Sequence, residues 1–218
     1  SARGIPVFNA PGANANAVKE LVVAGMLLAC RNIGPAWDFS RQLKGDDDAV
    51  NKAVEAGKKQ FVGFELPGRT LGVVGLGSIG RLLAATALEL GMQVVGFDPG
   101  ITVAGAWALS SRVQQARDID DLVGRSDFIS FHVPLLDSTR KLINRDRIAF
   151  LKEHAVVLNF SRDGIVVNEA VIEALNSGKM YAYVCDFPSN LIKDHPRVMA
   201  LPHLGASTQE AEDNCARM

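Results

Sequence analysis

The chain has 218 residues, 48% of them hydrophobic, and its 23 basic and 24 acidic side chains leave a formal net charge of −1. That length and apolar content suffice for one sizeable core and exclude a disordered chain, while a charge so near zero excludes the broad basic footprint of a nucleic-acid or anionic-membrane binder. Cys30, Cys185 and Cys215 are odd in number, far apart and without CxxC or Cys/His spacing, which excludes a disulfide framework and a zinc site and fits a reducing cytoplasm.

In chain order, a short apolar run over 5–9 stops at Pro11-Gly12 as a strand ended by a turn would, and 14–33 carries apolar residues at helical spacing. Its apolar stretch 21–30, flanked by Lys19, Glu20 and Arg31, is about half the ~20 residues of a membrane span and reads as a buried helix. No basic and then apolar secretory leader follows Ser1. Pro35 opens a second helix through Trp37 and Phe39 to Leu43. Asp46, Asp47 and Asp48 place negative charge at the start of a third, polar helix ending near Gly57, and Lys58-Lys59-Gln60 reads as its solvated end.

From Thr70 the pattern alternates. Strands are expected at 71–76, 93–98, 127–133, 155–160 and 181–186, with helices at 78–90, 146–151 and 168–177, and the chain stops inside a helix begun after Ser207. Strands apolar on both faces and separated by helices indicate a parallel sheet covered on both sides, a doubly wound α/β fold.

Gly75-Leu76-Gly77-Ser78-Ile79-Gly80 fits GxGxxG between an expected strand and an expected helix, the context this motif needs. The first glycine allows the tight turn, the second lets a pyrophosphate approach the backbone, and the third lets helix and strand pack closely; the helix N-terminus offers unpaired N–H groups to phosphate. Asp98 ends the next strand, where an acid accepts hydrogen bonds from ribose hydroxyls. Pro99 and Gly100 follow it rather than Arg or Lys, so a 2′-phosphate would meet a carboxylate without a counter-charge. The expected cofactor is NAD rather than NADP.

Four later segments carry a resemblance: His132-Val133-Pro134-Leu135, Asn159-Phe160-Ser161-Arg162-Asp163-Gly164, Asp186-Phe187-Pro188, and Pro202-His203-Leu204-Gly205-Ala206-Ser207-Thr208. Together, and in this order, they resemble the D-isomer-specific 2-hydroxyacid dehydrogenases. Residues 11–21 and the segment that continues into Glu-Asp-Asn-Cys are most similar to the bacterial members that oxidise 3-phosphoglycerate. The resemblance implies a Rossmann-type NAD-binding domain. Its implied activity is NAD-dependent oxidation of a D-2-hydroxy acid, here 3-phosphoglycerate to 3-phosphohydroxypyruvate, the entry into serine synthesis.

By the same resemblance Arg162 holds the substrate carboxylate and carbonyl, and His203 exchanges the hydroxyl proton. The chemistry agrees, since a planar guanidinium binds an α-keto acid bidentately and imidazole is suited to proton exchange near neutral pH. Carried over as cofactor contacts are Ser78 and Ile79 at the pyrophosphate, and His132, Val133, Pro134, Phe160, Ser161, Gly205 and Ala206 beside the nicotinamide and its ribose, with Arg162 and His203 on the same wall. Asp186 resembles the acid that receives the nicotinamide carboxamide, although the family order Asp-Val-Phe reads Cys185-Asp186-Phe187 here.

The family also sets a glutamate a few residues after that aspartate to hold the histidine, and this chain has Pro188-Ser189-Asn190-Leu191 there. The expectation is an altered relay, with Asp186 or Asp194 substituting, or weakened turnover. The division expected is 1–69 as N-terminal strand and helices forming a homodimer surface, 70–203 as the Rossmann core and 204–218 as the start of a return helix. A separate substrate domain is expected to lie largely outside this chain, so that the chain alone binds NAD with little catalysis. Alternatives are a glyoxylate, hydroxypyruvate or D-lactate reductase, and a non-catalytic NAD sensor on the same scaffold; a methyltransferase reading leaves Arg162 and His203 unexplained.

Overall fold

The structure is a computed structural model that describes residues 12–217; the strand expected at 5–9 and the terminal Met218 lie outside the described residues. Three helices precede the sheet: α1 (Ala15–Cys30), α2 (Ile33–Gln42) and α3 (Asp47–Gly57), followed by a 3₁₀ turn at Lys58–Phe61. The run expected as one helix over 14–33 ends early because Asn32 adopts φ 51°, a left-handed conformation that breaks the helix. α2 therefore starts at Ile33, two residues before Pro35. Asp46 caps α3 by accepting the Ala49 N–H at 2.9 Å, and Asp47 and Asp48 occupy its first turn, as the charge pattern implied.

Seven strands then form one sheet: β1 (Thr70–Val74), β2 (Gln93–Phe97), β3 (Val113–Gln115), β4 (Phe128–Phe131), β5 (Ala155–Asn159), β6 (Met180–Cys185) and β7 (Val198–Ala200). Their order is β3-β2-β1-β4-β5-β6-β7 and every adjacent pair is parallel. The crossovers carry α4 (Ser78–Glu89), α5 (Val103–Trp107), α6 (Ile119–Arg125), α7 (Arg145–Ile148) and α8 (Asn168–Asn176), and α9 (Gln209–Arg217) closes the described chain.

Alternation along β5 shows why these strands read as continuous apolar runs. Val156 and Leu158 join the core beneath α1 and α4, with Val22, Met26, Leu83 and Ala87, whereas Ala155 and Val157 join the opposite core with Leu122, Ala170 and Val171 of α6 and α8. Burying each larger aliphatic of this kind stabilises the fold by about 1.5–3 kcal/mol. Strand order reverses between β1 and β4, so the loops after these two strands part there and open a crevice at the C-terminal edge of the sheet.

Several expectations are corrected. The expected strands 71–76, 127–133 and 181–186 end at Val74, Phe131 and Cys185, because the residues beyond leave the ladder to form the crevice loops. The helix expected at 146–151 is the four-residue α7. α5, β3, α6 and β7 were not anticipated.

Candidate active site

The glycine-rich turn follows β1 directly. Gly75 has φ 90°, and a Cβ there would lie 2.6 Å from the His132 carbonyl oxygen, so the loops after β1 and β4 touch across the switch point and only glycine fits. A Cβ on Gly80 would lie 2.0 Å from the Gly75 oxygen, which is the close packing of helix on turn. On Gly77 a Cβ would meet nothing within 4 Å. The second glycine thus faces open space at the start of α4, whose first N–H groups receive no side-chain cap. Open volume beside uncapped helix amides suits a pyrophosphate.

Asp98 stands at the end of β2. Its Oδ2 accepts the Leu76 N–H at 2.8 Å and its Oδ1 the Gly100 N–H at 2.9 Å. It lines a cleft of about 510 Å³ whose walls include Leu76, Ile101, Leu109, Val113 and Arg117. Apolar walls with an acid at one end suit a purine and its ribose.

A second cleft, of about 290 Å³, lies on the other side of the glycine turn. Ile79 and the loop His132-Val133-Pro134 form one wall; Phe160, Ser161 and Arg162 form the next; Asp186, His203, Gly205 and Ala206 close it. The structure therefore brings the residues singled out around the nicotinamide into one cavity. Asn14 and Val18 of the α1 entry also line it; they belong to the 11–21 stretch that carried the resemblance but were not expected as site residues.

Local chemistry explains how the loops hold their shape. Asn159, fully buried at the end of β5, donates from Nδ2 to the Arg162 oxygen at 2.9 Å and accepts the Ser161 N–H at 3.3 Å, so one amide fixes the turn that carries Arg162. Ser161 Oγ donates to the Val133 oxygen and ties this turn to the β4 loop. The exposed Arg162 guanidinium makes a hydrogen bond only to the Ser161 oxygen, at 2.6 Å, among the described residues. It is available to an anion.

His203 has φ 57°, uncommon for a side-chain-bearing residue, and such outliers cluster at functional sites. The Phe187 ring stands edge-on to its imidazole with centroids 5.3 Å apart, and among the described residues no carboxylate pairs with it. Of the two acids expected as substitutes, Asp194 is exposed and paired with Lys193, and does not line the cleft. Asp186 lines it, but its Oδ2 accepts the Gly205 N–H at 2.7 Å. The other oxygen, Oδ1, is buried without a partner. An orphaned acceptor on the wall of a cavity suits an amide donor from a ligand.

His132 accepts or donates at Nε2 with Ser130 Oγ at 2.9 Å, and burial pushes its pKa down from 6.5 to about 4. It is a neutral wall of the cleft near pH 7 and a poor proton acceptor.

The donor set agrees with a dinucleotide: uncapped helix amides, an acid at an apolar adenine-sized cleft, and an orphaned carboxyl oxygen in the adjoining cavity. Comparisons with known proteins agree. Residues 23–205 match the family model described as the D-isomer specific 2-hydroxyacid dehydrogenase NAD binding domain. The chain is 40% identical over 216 residues to D-3-phosphoglycerate dehydrogenase of Methanocaldococcus jannaschii, covering 96% of this chain and 39% of that protein. It is 38% identical to hydroxypyruvate reductase of Thermotoga maritima, covering 96% of this chain and 66% of that one. The apo crystal structure of Rhodotorula graminis D-mandelate dehydrogenase superposes with TM-score 0.84 at 26% identity, covering 99% of this chain and 63% of that one. The chain thus spans between about two fifths and two thirds of the length of these relatives.

Proposed function

The chain belongs to the D-isomer-specific 2-hydroxyacid dehydrogenase family, whose NAD-binding domain it carries, and from that premise we propose that the protein oxidises a D-2-hydroxy acid, with Arg162 and His203 as its catalytic pair. The observation that carries this reading is that both side chains, from turns after different strands, line one cavity with the orphaned Asp186 oxygen. NAD supplies the hydride acceptor when bound. Gly77-Ser78-Ile79 would hold its pyrophosphate, Asp98 its adenosine ribose and Asp186 its carboxamide.

The chain's own groups do the rest. Arg162 binds the substrate carboxylate as a planar, permanently charged fork, which orients C2. His203 takes the C2 hydroxyl proton on its imidazole as the carbonyl forms, and returns it in the reverse direction. Among the described residues no carboxylate pairs with that imidazole. Phe187 supplies orientation through packing.

The substrate favoured is 3-phosphoglycerate, which would place the protein at the entry to serine synthesis in the cytoplasm; the 40% match to the Methanocaldococcus enzyme supports it. Hydroxypyruvate is the second reading, supported by the 38% match to the Thermotoga reductase. Assaying the full-length protein with NAD against 3-phosphoglycerate, D-glycerate, D-lactate and D-mandelate decides between them. Failure to turn over any D-2-hydroxy acid would leave a non-catalytic NAD sensor.

The protein is also proposed to be a homodimer through α1–α3. Neither α2 nor α3 contributes a buried residue, and Leu27, Ile33 and Trp37, the last 63% exposed, surround a shallow apolar hollow that a second copy would cover.

A further inference from the structure

Two imidazoles line the nicotinamide cavity, those of His132 and His203, and the fold makes them chemically unlike. His132 follows Ser130, a residue of β4, by two positions, and side chains two apart on an extended chain project to the same side. Ser130 Oγ and His132 Nε2 stand 2.9 Å apart. We propose that Ser130 is a positioning residue: its hydroxyl donates to Nε2 of His132, and the tautomer so selected presents Nδ1–H as a hydrogen-bond donor to the nicotinamide half of the bound dinucleotide.

The direction of the bond follows from burial. Ser130 is fully buried, and among the described residues its Oγ makes this one hydrogen bond. A hydroxyl carries one proton and two lone pairs. If Nε2 carried the ring proton and donated it, the hydroxyl proton would be left without an acceptor in a buried site, which is costly. Donation from Oγ to the Nε2 lone pair satisfies both groups, and the ring proton then resides on Nδ1.

Nδ1 is open to a ligand. It has no hydrogen-bond partner among the described residues, and the side-chain polar atom there that is both buried and unpartnered is Asp186 Oδ1. Nδ1 is therefore accessible, on a residue that lines the cavity. Burial also keeps the ring from protonating until pH falls to about 4. The donor is thus uncharged near neutral pH, which suits the carboxamide and hydroxyl oxygens of a nicotinamide riboside and adds no repulsion against its cationic ring. The same tautomer divides the labour of the two imidazoles. With Nε2 engaged by Ser130 and Nδ1 protonated, His132 has no free lone pair for the C2 hydroxyl proton, and that step is left to His203.

This inference rests on the cofactor assignment, but its first readout needs no cofactor. NMR of the full-length protein carrying ¹⁵N-labelled histidine, with the His132 signals identified by their loss in His132→Phe, reads which ring nitrogen holds the proton. Wild type is expected to show Nδ1–H and a bare Nε2, and NAD is expected to shift the Nδ1–H signal. Ser130→Ala is expected to move the proton toward Nε2 and to weaken NAD by about two- to tenfold in calorimetric titration, the value of one neutral hydrogen bond. Ser130→Thr restores both, or Ser130→Cys restores them in part should the extra methyl not fit, since a thiol is a weak donor. Because Ser130 acts through His132, adding Ser130→Ala to His132→Phe is expected to cost no further NAD affinity. A proton on Nε2 in wild type overturns the inference, as does an Nδ1–H signal that NAD leaves unmoved. Additive losses in the double variant reduce Ser130 to a structural role and overturn it equally. A wild type that shows Nδ1–H yet binds no NAD would leave the tautomer standing and contradict the cofactor assignment instead.

Discussion

Asp186 Oδ2 accepts the Gly205 N–H at 2.7 Å, while Oδ1 of the same carboxyl is buried with no partner. One oxygen holds the loop that carries His203, and the other is an unpaired acceptor on the wall of the same cavity. An unsatisfied buried acceptor costs about 1–3 kcal/mol, so the two roles separate on substitution. Asp186→Asn keeps an acceptor for Gly205 but turns a donor toward the cavity. We predict that it weakens NAD by about tenfold or more while leaving the unliganded melting temperature unchanged or raised. Equal losses of stability and affinity would show that the carboxyl is structural only.

The glycines of the turn predict opposite phenotypes. Gly80→Ala forces a Cβ to 2.0 Å from the Gly75 oxygen, so it should destabilise the fold by about 1–3 kcal/mol or more. Gly77→Ala meets nothing within 4 Å; it should unfold in urea within about 0.5 kcal/mol of wild type yet bind NAD at least about tenfold more weakly, because its methyl group occupies the pyrophosphate approach. Urea titration and calorimetry on the two variants read these outcomes separately.

His132 should leave a signature in the pH dependence of stability. Its folded pKa, about 4, lies below the ordinary 6.5 because burial penalises imidazolium. As pH falls through about 6.5 the unfolded chain takes up a proton that the folded protein refuses until about 4, so the unfolded state binds more protons throughout that window. The contribution is full above pH 6.5 and is lost on descent toward pH 4, by about 3 kcal/mol at most. His132→Gln should remove this part of the slope, measured as the difference between urea-unfolding curves of variant and wild type across that range. Parallel slopes would contradict a half-buried imidazole kept neutral by desolvation.

Trp37→Glu places a charge in the exposed apolar hollow beside Ile33 and Leu27. Sedimentation at tens of micromolar should show dimer for the wild-type protein and monomer for the variant, without loss of NAD binding. A wild-type monomer would refute the assembly.

The parts that were legible in the sequence have a local physical cause. Gly75, Gly77 and Gly80 are spaced by the geometry of a strand running into a helix, and the central strands are apolar on both faces, as Ala155 to Leu158 of β5 show. The cleft loops were legible through resemblance, as segments with characteristic residues. The edge of the sheet was not. β3 is three residues long and presents Gln114 and Gln115 to solvent, and α5 and α6 flank it with five and seven residues, too short for a period to register. Arg117 follows this stretch, so its place in the wall of the cleft that Asp98 also lines is a product of the β2–β3 pairing.

The break after α1 has a similar origin. Asn32 donates to the Phe61 and Val62 oxygens and accepts from Tyr181 and Arg197, partners remote in sequence that hold it left-handed. Periodicity reads neighbours along one helix, whereas this residue answers to the 3₁₀ turn, β6 and the segment entering β7.

The central claim is that His203 exchanges the substrate proton in a cavity where Arg162 holds the substrate. Steady-state oxidation of 3-phosphoglycerate by the full-length protein, wild type against His203→Gln, tests it most directly, with calorimetry to verify that NAD still binds. The account predicts that kcat falls about 10²–10⁴-fold with KM little changed, since the imidazole acts in the transition state. A His203→Gln protein that binds NAD and retains the wild-type kcat would contradict it.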